Sequence, residues 1–163
     1  MPETPETDPA RIVADADVLV ADLLAGDESG NPAREAMDAI RSHSWLELVA
    51  SDSLLDDAEA VLADLADPDL ASAWRERIED LRVRVDHPPG DHPALASAYR
   101  GQAAHLLSAD ESLRDAGASA ALGSRLNVSV KTPEGFVALF DAESLYEAAE
   151  GGSYPGPDRD PRA

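Results

Sequence analysis

The chain has 163 residues, a length that suits one domain able to bury roughly 70% of its unfolded surface. It has no cysteine, which excludes disulfides, thiolate metal sites and a cysteine nucleophile. With 33 acidic residues against 13 basic ones the formal charge is −20, and no basic stripe is present to draw in a phosphate backbone.

Twelve of the basic residues are Arg and one is Lys131. Excess acid, scarce Lys and abundant Ala look like the proteome of a salt-accumulating halophile. At ~1 M salt the Debye length is about 3 Å, so self-repulsion is largely screened. A solvated surface therefore accounts for most of the acids. A nucleic-acid substrate would need bound metal and local Arg residues rather than the overall field. No apolar run approaches the ~20 residues of a membrane span, so no membrane contact is expected. Met1 to Glu6 is acidic and proline-rich, unlike a secretory signal, and a cytoplasmic location is expected.

Residues 1–10 read as a disordered lead, 11–150 as the domain and 151–163 as a flexible tail. Arg11 to Ala14 reads as a short buried strand. Val18 to Leu24 reads as a helix ended by Gly26. Asn31 caps a second helix with Pro32 at its first position. Leu46 to Ala50 fits a strand. Ser51 then caps a helix whose apolar residues recur as Leu54, Leu55, Ala58, Val61, Leu62 and Leu65. Asp67-Pro68 starts another helix, running to about Leu81. Val83 to Val85 alternates as a brief strand, and His87 to Gly90 is a loop. A helix from Pro93 to Gly101 follows, then a buried strand from His105 to Ser108. Glu111 onward reads as helical to Gly117 or Gly123. Asn127 to Val130 is the last strand, and Thr132-Pro133 opens a final helix through Tyr146. Short apolar strands alternating with helices, without hairpin signals, predict a parallel sheet covered by helices on both faces.

In such folds sites gather at the carboxyl ends of strands. Asp15 and Asp110 fall at two such ends, Asp91 opens the helix at Pro93, and Asp57 lies on the helix capped by Ser51. Each has a structural explanation as well. Asp15, Asp91 and Asp110 suit helix caps, Asp17 caps the same helix as Asp15, and Asp57 is one acid among Asp52, Asp56 and Glu59. Grouped, they would suit Mg²⁺ or Mn²⁺, which prefer hard oxygen ligands. Such a metal acidifies water and neutralises a phosphodiester. Ser108 is placed to hydrogen-bond a metal-bound water. His92 adjoins Asp91, but His43, His87 and His105 share no metal-ligand spacing. Trp45, Trp74 and Phe136 read as packing residues.

Taken in order, these segments resemble the PIN domain, a family of Mg²⁺/Mn²⁺-dependent nucleases. The opening Ile12-Val13-Ala14-Asp15-Ala16-Asp17-Val18-Leu19 is similar to the family's strand and Asp-x-Asn/Ser/Asp-Val-Leu. Ser51-Asp52-Ser53-Leu54-Leu55-Asp56-Asp57 resembles Ser-x-x-Leu-Leu-x-Glu. Asp91-His92-Pro93-Ala94-Leu95-Ala96 resembles the third acid and its Ala-rich helix. His105-Leu106-Leu107-Ser108-Ala109-Asp110 resembles the strand ending in Thr/Ser-x-Asp. Val128 to Phe136 resembles the closing strand, Thr-Pro and aromatic-bearing helix. The resemblance covers about residues 11–145. It implies a three-layer α/β/α sandwich with a mostly parallel sheet. It also implies that Asp15, Asp57, Asp91 and Asp110 hold the metal, with Asp17 and Ser108 in support, and that RNA is hydrolysed by metal-activated water. Relatives that are toxins make an antitoxin-like protein an implied partner, and a homodimer is compatible. Asp57 departs from the usual Glu by one methylene, and Asp56 or Glu59 could stand in. Arg100, Arg114 and Arg125 are the nearest basic residues by sequence.

Two other readings remain at this level. One is a PIN-like interaction module without catalysis. The other rests on Asp15-x-Asp17-Val18-Leu19, which also looks like haloacid-dehalogenase-type phosphatases. There Asp15 would be the nucleophile and Asp17 the general acid, with Ser108 and Lys131 assisting, but no acidic pair follows Lys131. A phosphoacceptor receiver module fits less well, because Asp57 reads as helical.

Overall fold

A computed structural model describes residues 8–25, 30–86, 93–109 and 129–158. The strands are β1 (Asp8–Ala14), β2 (Glu47–Ser51), β3 (Arg82–Val85), β4 (Ala103–Leu107) and β5 (Ser129–Lys131). The helices are α1 (Ala16–Ala25), α2 (Pro32–Arg41), α3 (Asp52–Leu65), α4 (Pro68–Leu81), α5 (Pro93–Gly101), α6 (Pro133–Leu139) and α7 (Ala142–Ala149). All the strand pairs are parallel, in the order β3-β2-β1-β4-β5, and helices flank the sheet in an α/β/α sandwich.

This order follows from chain geometry. β1 to β2 to β3 steps one way across the sheet, and β3 to β4 steps back past both. Right-handed crossovers then place α5 on the face opposite the helices that link β1, β2 and β3. With both faces covered, the central strands are apolar on both sides rather than alternating. Ile12, Val13, Leu48, Val49, Leu106 and Leu107 are accordingly all buried. Burying each side chain of this kind contributes about 1.5–3 kcal/mol.

The expected caps form. Asn31 accepts from Arg34 N at 3.1 Å, Ser51 from Leu54 N at 3.1 Å, and Thr132 from Gly135 N at 2.9 Å. Asp67 accepts from Asp69 N at 2.8 Å. Three boundaries differ from expectation. β1 starts at Asp8, where the Asp8 N–H reaches the Gln102 carbonyl at 2.7 Å, so residues 8–10 belong to the sheet and not to a lead. The final helix is two: α6 ends at Leu139, and Asp141 caps α7 by accepting from Ser144 N at 3.3 Å. Beyond α7 the chain makes specific contacts. Tyr154 Oη meets Nε2 of buried His43 at 2.6 Å, and the Asp158 carboxylate accepts from the Ser44 N–H at 2.8 Å and from its hydroxyl. The helix expected from Glu111 lies outside the described residues.

One buried ion pair locks α1 to α2. Asp22 is 3% exposed and takes both guanidinium arms of Arg41. Burial pushes the Asp22 carboxyl above its ordinary range, against the pull of Arg41. Among the described residues no helix is long and apolar enough to cross a membrane.

Candidate functional site

The strand order reverses between β1 and β4. β1 connects toward β2 on one side, while β4 lies on the other, and the carboxyl ends at such a switch point are where open parallel sheets bind ligands. The register pairs Ala14 with Leu107, which brings the next residues, Asp15 and Ser108, level. The Asp15 N–H donates to the Leu107 carbonyl at 2.8 Å. The Ser108 hydroxyl, fully buried, donates to Asp15 Oδ2 at 2.9 Å. Asp15 Oδ1 accepts from the Ala16 N–H at 2.8 Å, and the Asp15 carbonyl accepts from Val18 and Leu19. Asp15 therefore caps α1 and carries a carboxylate oriented from two sides. Asp17, exposed in the first turn of α1, accepts from the Ala109 N–H at 3.1 Å and ties the chain after β4 to that turn.

α3 sorts its acids onto two flanks. Arg75 holds Asp56 at 2.7 Å, Glu59 at 3.2 Å and Glu79 at 3.1 Å. Arg82 reaches Asp52 and Glu79, each at 2.5 Å, and Arg84 reaches Asp52 at 2.9 Å. Hydrogen bonds from Arg82 lead the forces that hold the Asp52 and Glu79 carboxyls below their ordinary range. At about 100° per residue, Asp52, Asp56 and Glu59 share one flank of α3. Buried Leu54, Leu55, Ala58 and Leu62 form the stripe beside them, and Asp57 falls on the far flank. α3 packs against α4 on the Arg75 side and also against α1, the helix that opens at Asp15. Asp57 is exposed, with no hydrogen bond or ion pair among the described residues. Asp56 and Glu59, the stand-ins suggested by sequence, are committed to Arg75.

Asp91, Asp110, His87, His92, Arg114 and Arg125 lie outside the described residues. Among the described residues, no three His, Asp or Glu side chains are placed to hold a metal ion. Asp15, Asp17 and Ser108 are brought together, and Asp57 is left free on a helix packed against α1. As a donor set these are hard oxygens, which fit Mg²⁺ or Mn²⁺ and not a thiophilic metal. Arg100 is exposed at the end of α5. Lys131 turns toward His105, with Nζ 3.4 Å from Nδ1. Burial, then the charge of Lys131, lowers the His105 imidazole from 6.5 to about 4. Trp74 and Phe136 are buried as expected, and Trp45 packs edge-on to His43 and Tyr146.

Ser97 escaped the sequence reading, in which Ser51 stood as a helix cap and as the first residue of the segment that ends at Asp57. β1 and β2 pair at Arg11–Glu47 and Ile12–Leu48, and Ser51 ends β2 beside Val85 of β3, where its N–H donates to Ser97 Oγ at 3.1 Å. A model of a family of unknown function, DUF7384, matches residues 6–162, and the chain belongs to that family. No curated protein and no solved structure matches the chain.

Proposed function

We propose that this protein is a metal-dependent endoribonuclease of PIN-like design. The observation that carries the reading is the meeting of Asp15 and Ser108 at the point where the strand order reverses, with the hydroxyl donating to the carboxylate at 2.9 Å. This is where open parallel sheets bind ligands. The sequence resemblance, independently, implies that these same two positions belong to the reacting centre.

Asp15, Asp57, Asp91 and Asp110 would hold Mg²⁺ or Mn²⁺. When bound, the metal supplies an acidified water and charge neutralisation at the scissile phosphodiester. The chain's own part is orientation. Ser108 and the Ala16 N–H fix the Asp15 carboxylate before any ligand arrives, so little ordering is left to be done on binding. Asp17 keeps the chain after β4 against α1. Arg75 withdraws Asp56 and Glu59, which would otherwise compete with Asp57.

The test is cleavage of a single-stranded RNA by the full chain in molar KCl with Mn²⁺. Cleavage that EDTA stops and Asp15→Asn abolishes supports the reading. RNA left intact by the folded native chain contradicts it. A second reading, a PIN-like module without catalysis, draws on the same contacts. Asp15 and Asp17 already accept from three donors, the local Ala16 N–H and two, the Ser108 hydroxyl and the Ala109 N–H, that join β1 and α1 to the chain at and after β4. Under that reading Asp15→Asn lowers stability and changes nothing else.

A further inference from the structure

We infer that the segment after α7 is a clasp: it closes on the turn between α2 and β2 and opens as one piece while the sheet stays folded. From Glu150 to Asp158 the chain carries no helix or strand, and the family match extends past it, to residue 162. The contacts that carry the inference are independent of the carboxylate site.

The joint between this segment and α7 is loose. Gly151 and Gly152 stand at φ of +76° and +87°, a region glycine enters at little steric cost. Both are exposed, and a Cβ added to either would meet nothing within 4 Å, so no close packing fixes the joint. α7 is held separately. Leu145 and Ala149 pack on the core, and Tyr146 meets Trp45 edge-on with ring centroids 5.2 Å apart. The segment can therefore leave without α7.

Beyond the joint lie two anchors, and both land on Ser42, His43 and Ser44. The first is Tyr154. Nδ1 of buried His43 lies 2.7 Å from the Ala39 carbonyl and so carries the ring proton, which leaves Nε2 to accept from the Tyr154 hydroxyl at 2.6 Å. The second is Asp158. Its N–H donates to the Ser42 carbonyl at 2.9 Å, and its carboxylate accepts from the Ser44 N–H at 2.8 Å and from the Ser44 hydroxyl. Between the anchors runs Pro155-Gly156-Pro157. Each proline locks its own φ and restricts the residue before it, so even Gly156 is constrained. The link from anchor to anchor is stiff where the link to α7 is loose. Losing one anchor swings the other out of register, so both are engaged or neither is. Opening bares His43 Nε2 and the side of Tyr146 on which Tyr154 lies, ring centroids 6.0 Å apart.

The experiment is amide hydrogen exchange, followed by NMR on the full chain in molar KCl, with native protein and Tyr154→Phe compared. Protection measured in this way reports the population of each local opening. The expected native result is one shared level of protection for the Ser44 and Asp158 N–H groups, below that of Val49 and Leu106 in the central strands. In Tyr154→Phe both should lose protection by about tenfold, the effect of one hydrogen bond, although the deleted hydroxyl touches neither of them. Val49 and Leu106 should keep theirs, which also shows that the variant is folded. Protection at Ser44 and Asp158 equal to that of the central strands overturns the inference, because the segment then leaves only with the whole fold. Native amides unprotected at both positions overturn it, because the clasp is then not closed. Protection at Ser44 and Asp158 that is indifferent to Tyr154→Phe overturns it as well, because the anchors are then independent. A loss shared equally by Val49 and Leu106 does the same.

Discussion

Gly101, the last residue of α5, lies directly against Val49 of the sheet. A Cβ added there would lie 2.4 Å from Val49 Cγ1 and 3.3 Å from Val49 Cβ and Cγ2. Val49 is wholly buried in a central strand and cannot swing away without displacing its own neighbours. Gly101→Ala therefore forces α5 outward or Val49 off its rotamer. Overpacking of this kind costs about 1–3 kcal/mol. Ala gains up to about 1 kcal/mol over Gly inside a helix, and less at its last residue. The net expectation is a loss of about 1–2 kcal/mol, or roughly 3–6 °C in Tm for a chain of this size. Thermal and urea unfolding in molar KCl measure it. The mechanism is checked by pairing the change with Val49→Ala, which removes the clashing methyls. The double variant should be more stable than the sum of the single effects by about 1 kcal/mol. A neutral or stabilising Gly101→Ala, or strict additivity with Val49→Ala, would refute the steric argument.

Other consequences can be checked in the same buffers. Arg41→Leu leaves the buried Asp22 carboxylate without its partner and should cost about 3–5 kcal/mol. Because the folded Asp22 carboxyl is raised, the folded state holds that proton more tightly than the unfolded chain. Stability then falls as pH rises through the folded value, and urea midpoints should show Arg41→Leu losing more at neutral pH than near pH ~4. His105 shows a different sign: its folded value is lowered to about 4 from 6.5. Its contribution is complete above the ordinary value and is lost as pH falls toward the folded one. NMR should find the ring neutral well below pH 6.5, and His105→Leu should flatten the stability profile across that window. Tyr154→Phe deletes the partner of buried His43 Nε2 and should cost about 1–2 kcal/mol by denaturant unfolding.

Local chemistry was readable from the sequence where a cap and a proline stood together. Asn31-Pro32, Asp67-Pro68 and Thr132-Pro133 each place a helix start correctly, as does Ser51 alone. The parallel sheet was readable too, from apolar strands separated by helices. Asp8–Ala10 hid because an acid and a proline resemble a linker, while strand pairing with Gln102 and Ala103 is non-local. The break after Phe140 hid because apolar spacing continues from Phe136 to Tyr146, although Asp141 offered a cap. Contacts between distant segments left no local trace. His43 and Tyr154 are 111 residues apart, and Asp22 reads as one polar residue in an apolar helix until α2 brings Arg41 to it. In the candidate site, strand-end reasoning singled out Asp15 and Asp110, and Ser108 entered as the residue two before Asp110; Asp15 and Ser108 meet because each follows the last residue of an apolar strand. Ser97 was invisible, because a small residue in an Ala-rich helix gives no sign of which strand end it meets.

The central claim is that Asp15 belongs to a carboxylate metal site and is not merely a cap joining β1 and α1. Calorimetric titration of Mn²⁺ into the full chain at molar KCl tests it most directly, with Asp15→Asn and Asp110→Asn as comparisons. The account predicts saturable binding by the native chain, lost in both variants while both remain folded. Absent binding, or binding indifferent to both substitutions, would contradict it and leave Asp15 and Asp17 as the structural ties seen between β1, α1 and the chain after β4.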